Sequence, residues 1–377
     1  MAREITHTEA NEKVQEKNVF GFIGLGLIGG TIARALRGVH PNAVIKAHTR
    51  RKETVEEAIA DGVVDEYVQD PIHGFTDCDV IFLCAPVSFN NSYLAALAPH
   101  LGPGTLITDV GSTKTEIHDL ARSLHLERQF IGGHPMAGSE RVGYRNARET
   151  LIENAYYILA PEPEVPKEEV AWMRAFVEAI HAIPIIIDPG EHDFVVAGVS
   201  HLPHVISASL VNLVHDSDNK DGIMRTVAAG GFKDITRISS SSAEMWQQIC
   251  LTNTDNIRVL LDRYIESLET FREELVSRDE NYLYNYFDQA RQYRESFSDA
   301  ASGPLPQSFY LNVEIEDRPG VLAEVVMYLA IAGINIKNIG ITHNREYQEG
   351  VLRVECHSAD GLAKARELLQ DRNYKVY

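Results

Sequence analysis

The sequence predicts an α/β protein in three parts, and three observations predict it. From about residue 18 to 187, short apolar runs alternate with helical patterns, as in a parallel sheet covered on both faces. From Glu191 to Phe297 the periodicity is helical throughout. Residues 307–377 return to strands and helices in the order βαββαβ, a ferredoxin-like arrangement. The 377 residues suit two or three domains, and 44% hydrophobic with 24% charged residues is a globular composition.

The net charge of −19 leaves no basic stripe for nucleic acid, so an anionic substrate must be met by a few local cations. No apolar run is expected to span a bilayer, and residues 1–17 are polar, without a signal-peptide core, so a frayed tail is expected. Four scattered cysteines, none in a CxxC pair, argue against a metal site or disulfide framework and fit a cytoplasmic protein.

In chain order, residues 18–24 (NVFGFIG) read as a strand and 31–37 as a helix. Between them Gly24, Gly26 and Gly29 keep the spacing G-x-G-x-x-G. The first glycine permits a tight turn, and the second lets a pyrophosphate reach the backbone near Leu27 and Ile28. The third packs helix on strand, which together predicts a Rossmann-type dinucleotide site. The second strand, 43–47, runs into His48, Thr49, Arg50, Arg51 and Lys52. An NAD-type site places an acid at this end. Thr49 and Arg50 instead leave room for a 2′-phosphate, so NADP stands beside NAD; the alternative is a solvated basic turn.

Residues 79–85 and 105–110 are buried-strand patterns, closed by Pro86 and by Gly111-Ser112-Thr113-Lys114. Ser112 and Thr113 read two ways: one caps a helix at 114–126, or Ser112 lies near the nicotinamide. Next comes GGHPMAGSE at 132–140, predicted to hold His134 on a stiff loop at a strand end. Strands at 156–159 and 183–187 flank a helix at 167–182.

Residues 195–214 are apolar on nearly all sides, a helix to be buried in a core or between subunits, and carry His201 and His204 around Pro203. The stretch AAGGFKDITR (228–237) presents Arg237, able to grip a carboxylate bidentately or to remain a surface arginine. A GPLP linker (303–306) precedes the last module. There 309–315 reads as a strand, 317–320 (DRPG) as a turn, and 374–377 as a final edge strand.

The motifs GLGLIGG, DVGSTK, GGHPMAGSE, SHLPH and GGFKDITR, in this order, are similar to those of the bacterial prephenate dehydrogenases of tyrosine biosynthesis. The tail, with DRPGVLAEV and GINI, resembles an ACT domain. The resemblance covers the chain after about residue 18. It implies a Rossmann-type domain at 18–187, an all-α dimerisation domain at 188–302 and an ACT regulatory domain at 307–377. It also implies oxidative decarboxylation of prephenate to 4-hydroxyphenylpyruvate with hydride transfer to NAD, or NADP, in a homodimer. By the same resemblance His134 is the catalytic histidine and Ser112 orients it and contacts the cofactor. Arg237 holds a substrate carboxylate, His204 contacts substrate, and Ser139 and Glu140 border the pocket, Glu140 as a gate. Gly24, Gly26, Leu27, Ile28, Gly29, Thr49, Arg50, Pro86 and Ser112 are then the cofactor residues. Feedback by L-tyrosine is implied at Asp317, Arg318, Pro319, Gly320, Asn335 and Ile336. The rivals are an arogenate dehydrogenase, a generic 3-hydroxyacid dehydrogenase, and a non-catalytic nucleotide and amino-acid sensor. The 3-hydroxyacid enzyme would want a helical-domain lysine where this chain has SHLPH.

Overall fold

The computed structural model describes residues 7–138, 141–300, 309–316, 318–342, 350–356 and 358–377. Ser139, Glu140 and Asp317 lie outside the described residues. The chain forms two compact units, Met1–Thr270 and Phe271–Tyr377.

The first unit runs α1 (His7–Val14), β1 (Val19–Ile23), α2 (Leu27–Val39), β2 (Val44–His48), α3 (Lys52–Ala60), β3 (Glu66–Tyr67) and β4 (Val80–Leu83). It continues through α4 (Val87–Leu97), β5 (Leu106–Asp109), α5 (Thr115–Ser123), β6 (Phe130–Pro135), β7 (Tyr156–Pro161), α6 (Lys167–Ala179) and β8 (Ile183–Ile186). The strands form one sheet in the order β3-β2-β1-β4-β5-β6-β7-β8. All neighbours pair in parallel except β6 and β7, which are antiparallel. Among the described residues no α-helix lies between β6 and β7. A parallel return needs such a crossover, so without one the chain comes back antiparallel.

Both faces are covered, which is why the inner strands read as unbroken apolar runs. On β4, Val80 and Phe82 join a cluster with Ile32 and Leu36 of α2 and Phe176 of α6, whereas Ile81 and Leu83 join Leu94, Leu97 and Ile117 of α4 and α5. From His7 on, the N-terminal stretch is not a frayed tail: Ala10 and Val14 of α1 are fully buried, and Lys17 pairs with Glu169 of α6 at 3.0 Å. An amphipathic turn with two small apolar residues was enough to dock.

Beyond β8 come α7 (Pro189–Val196), a π turn at Ala197–His201, α8 (Leu202–Ser217), α9 (Ile223–Val227), α10 (Gly230–Thr236), α11 (Ala243–Thr252) and α12 (Thr254–Ser277). Pro203 has no N–H and its ring crowds the carbonyl four residues back. The helix passes this point by widening, with Leu202 N–H bonded to Ala197 O. Pro189–Ser217 is, by length and composition, apolar enough to cross a membrane, contrary to the expectation from sequence. Its polar residues between Asp193 and Asp216 are uncharged, which keeps its mean hydropathy high. Nor does α8 lie in the core: Ser207 is its one fully buried residue, while Val199 just before it and Leu213 are 68% and 62% exposed.

The second unit begins within α12, where Phe271 packs on Tyr286 and Phe287 of α13 (Glu280–Ala300). The module that follows comprises β9 (Phe309–Ile315), α14 (Val321–Ile331), β10 (Ile336–Thr342), β11 (Gly350–Cys356) and α15 (Ala359–Gln370). Its sheet runs β10-β11-β9, antiparallel. The expected last strand is a single bridge, Val376 to Val313, supported by mutual bonds between Tyr377 and Asn312. Leu311, Val313 and Ile315, at every second position of β9, meet Val325 and Leu329 of α14 and Leu369 of α15.

Candidate active site

In this sheet β1, β2, β4, β5 and β6 run in parallel, so their C-terminal ends share one edge. Open α/β sheets place ligands at that edge. The glycine loop after β1 fits a dinucleotide. Gly24 has φ +95°, and a Cβ there would meet the backbone of Cys84 and Ala85 at 2.6 Å. Gly29 packs against Gly24 O and Cys84, so a side chain there would separate α2 from β4. Gly26 is different: a Cβ built on it meets nothing within 4 Å. Open space therefore lies over the N-terminus of α2, where Leu27 and Ile28 begin the helix and Gly26 offers no side-chain cap. Gly26→Ala should fold with an unchanged Tm yet lose NAD affinity by about tenfold or more in a titration; unchanged affinity would place the pyrophosphate elsewhere.

Pro86 precedes α4 at this edge. Its turn is held by Asn90, whose buried amide accepts from Ala85 N at 3.0 Å and donates to Leu83 O at 3.1 Å. At the β2 end Thr49 Oγ1 donates to Arg51 O, and the exposed Arg50 guanidinium stands 5.8 Å over the Phe89 ring.

His134 sits inside β6, paired with Ile158 of β7, not on a loop after the strand. The glycines before it serve close packing, not a turn. A Cβ on Gly133 would meet Asp109 O at 2.5 Å, and one on Gly132 would meet Lys114 Cδ at 2.8 Å. These neighbours form a buried polar floor. Lys114 Nζ pairs with Asp109 Oδ2, both side chains almost fully inaccessible, and Asp109 also accepts from Gly111 N and Gly133 N. Burial pulls the Lys114 ammonium down against the opposing pull of Asp109.

The His134 ring is buried, and burial, followed by the neighbouring His192, Lys114 and His201, holds its pKa well below the ordinary imidazole value. Its Nδ1 lies 2.8 Å from His192 Nε2, and His192 Nδ1 lies 2.8 Å from Asp193 Oδ1. Asp193 also accepts from Lys114 N at 2.7 Å and Thr115 N at 2.8 Å. Burial would raise the Asp193 pKa, but its bonds from His192, Thr115 and Lys114 outweigh that and hold it below the usual carboxylate range. The cap of α5 is therefore Asp193, from far along the chain, and neither Ser112 nor Thr113. Thr113 instead bonds Thr252, while Ser112 is half-buried in the turn after β5.

From Asp193 the contacts continue into the helical segment. Asn253 Nδ2 donates to Asp193 O at 2.7 Å and stands 3.1 Å from His201 Nδ1. Burial pushes His201 down to about 4, so it stays neutral. Trp246 meets His201 edge-on and stacks on His204 at 3.6 Å. His204 is lowered by burial and by the positive charge of Arg237, an exposed side chain following α10. His134, His204 and Arg237 are thus brought to one region. His192, Asp193, Asn253 and Trp246 join them, although sequence reasoning did not single them out. The available signal was the His192-Asp193 pair just after an Asp-Pro-Gly helix start.

In the second unit, Arg318 donates to Glu324 Oε2 at 2.6 Å, Tyr328 Oη donates to Glu324 Oε1 at 3.1 Å, and Arg372 stands 4.5 Å over the Tyr328 ring. They line a cavity of about 440 Å³ that also reaches Tyr374. Of the expected regulatory residues that are described, only Arg318 lines it. Gly320, with φ +90°, starts α14, Pro319 lies in the turn before it, and Asn335 and Ile336 lead into β10.

Family models match along the chain: the prephenate dehydrogenase nucleotide-binding domain over residues 32–186, the prephenate dehydrogenase dimerisation domain over 188–289, and the ACT domain over 309–373. A prephenate dehydrogenase of Bacillus subtilis is 38% identical over 361 residues, covering 95% of this chain and 97% of that protein. The crystal structure of an Aquifex aeolicus prephenate dehydrogenase, in complex with hydroxyphenyl propionate and NAD+, matches with a TM-score of 0.70 and 28% identity. That match covers 74% of this chain and 98% of the other. A Synechocystis arogenate dehydrogenase structure matches with a TM-score of 0.67 and 31% identity, covering 74% and 99%.

Proposed function

Since the chain belongs to the prephenate dehydrogenase family and is an NAD-dependent oxidoreductase of tyrosine biosynthesis, we propose that His134 is the base that takes the hydroxyl proton of prephenate. The observation that carries this reading is a buried imidazole at the ligand edge of the sheet, held unprotonated by burial and linked by contacts to His204.

Prephenate carries a ring hydroxyl and two carboxylates. The Gly24-to-Gly29 loop and the turns at Thr49, Arg50, Pro86 and Ser112 hold the dinucleotide, which when bound supplies the hydride acceptor. His134 accepts the hydroxyl proton as the carbon that bears it is oxidised. Loss of the ring carboxylate as carbon dioxide drives electrons through the ring to that oxygen, which recovers the proton from His134 and becomes the phenol of 4-hydroxyphenylpyruvate. The aromatic product makes the step strongly downhill, so the protein's task is placement and charge complementarity. Arg237 pairs with a substrate carboxylate beside His204. Arg237→Gln should raise KM for prephenate by about 10- to 100-fold, the worth of a charge-assisted bond; an unchanged KM removes Arg237 from the pocket.

The chain divides functionally into a dinucleotide domain at 18–187, a helical dimerisation and substrate domain at 188–302, and a regulatory ACT domain at 307–377. A second copy of this chain covers the exposed apolar face of α8, in a cytoplasmic homodimer. L-Tyrosine acts through the ACT domain. The β2 end without an acid, with Arg50 beside it, supports use of NADP as well as NAD. Initial rates with prephenate and arogenate, NAD and NADP, with and without tyrosine, test all of this. The expected result is prephenate turnover with either dinucleotide, inhibited by tyrosine. Faster arogenate turnover would reassign the substrate.

A further inference from the structure

We propose that His192 and Asp193 are positioning residues that fix the tautomer of His134, so that its Nε2 is the bare nitrogen facing substrate. The proposal rests on the reading of His134 as the base and deepens it. Asp193 Oδ1 receives Lys114 N–H and Oδ2 receives Thr115 N–H, and backbone amides can only donate. The carboxylate is thus an acceptor on every side, and His192 Nδ1, 2.8 Å away, must carry the hydrogen between them. That leaves the His192 Nε2 lone pair pointing at His134 Nδ1, again 2.8 Å away, and the hydrogen there belongs to His134. With Nδ1 protonated, the neutral His134 ring has its lone pair on Nε2.

The same bonds fix position. His192 is fully inaccessible to solvent, and Asp193 is anchored to the first turn of α5 by two amides. The two rings meet at 61° with centroids 5.0 Å apart. When it accepts the substrate proton, its Nδ1–H donates to His192 as a charge-assisted bond. Asparagine at 193 cannot satisfy this arrangement. If its amide oxygen faces Thr115 N–H, its NH2 opposes Lys114 N–H and, facing His192 Nδ1, would reverse both tautomers. If it faces the other way, NH2 opposes Thr115 N–H. In a serine hydrolase triad the equivalent exchange costs about 10⁴ in kcat by leaving the wrong tautomer.

The test uses the full-length protein labelled with 15N-histidine. The ring nitrogen shifts should show His134 protonated at Nδ1 and bare at Nε2. Because Asp193 also caps a helix, His192→Phe and His192→Gln carry the same test without touching the cap. His192→Phe should lower kcat by about 10- to 100-fold with KM for prephenate nearly unchanged. His192→Gln, whose amide oxygen can still accept from His134 Nδ1–H, should recover most of that loss. Wild-type kcat in His192→Phe, or a glutamine variant no better than phenylalanine, overturns the proposal; so does a His134 ring protonated at Nε2 in the native protein. His134→Asn separates the two readings. If it turns over normally, the base assignment fails, while the ring shifts still report whether the tautomer is fixed.

Discussion

His134→Asn is expected to lower kcat by about 10²- to 10⁴-fold, the usual worth of a positioned base. KM for prephenate should stay within about threefold, because the lost interaction is made mainly in the transition state. Equal losses in kcat and in binding would make His134 a binding residue. The pH profile gives an independent check. Burial, then the neighbouring His192, Lys114 and His201, lower the His134 pKa well below the ordinary value of 6.5. A base works while unprotonated, so kcat/KM should stay level as pH falls through 6.5 and decline only at more acid pH. An acid limb at or above 6.5 would assign the titrating base to a more exposed group.

Lys114→Met is expected to destabilise the first unit by about 3–5 kcal/mol, the cost of leaving one member of a buried ion pair without its partner. Lys114 and Asp109 are both almost fully inaccessible, so solvent cannot replace the lost charge. Denaturant unfolding followed by fluorescence of the buried Trp172 reads the effect. Lys114→Met combined with Asp109→Asn should recover part of the loss, since the remaining amide is neutral. If the single variant is as stable as the native chain, the pair contributes no net stability. The expected loss matters for function because Asp109 also holds Gly133 N–H, one residue before His134.

Much of this architecture is legible in the sequence because it is local. G-x-G-x-x-G between an apolar run and a helical run requires a tight turn and a bare helix N-terminus, and the structure has both at Gly24 and Gly26. Runs such as DVIFLCA must be strands buried on both faces, as β4 is. The βαββα order of the tail likewise follows from short-range periodicity, its expected last strand being only a bridge. What the sequence could not decide concerns groups distant along the chain. The GG before His134 looks like part of a stiff loop at a strand end, but Asp109, Lys114 and His118 approach so closely that only an extended glycine strand fits. Ser112 and Thr113 look like helix caps, but a carboxylate 78 residues beyond Thr115 reaches the amides first. The helix at Pro189–Ser217, free of charged residues between Asp193 and Asp216, reads as buried in a core or between subunits, yet its C-terminal half stays exposed because nothing among the described residues covers it. By itself the sequence determined that a histidine would stand at the ligand edge of a dinucleotide-binding sheet. Only the tertiary structure decided which ring nitrogen has a partner, because hydrogen-bond geometry between β6 and α7 is a property of packing, and spacing along the chain does not encode it.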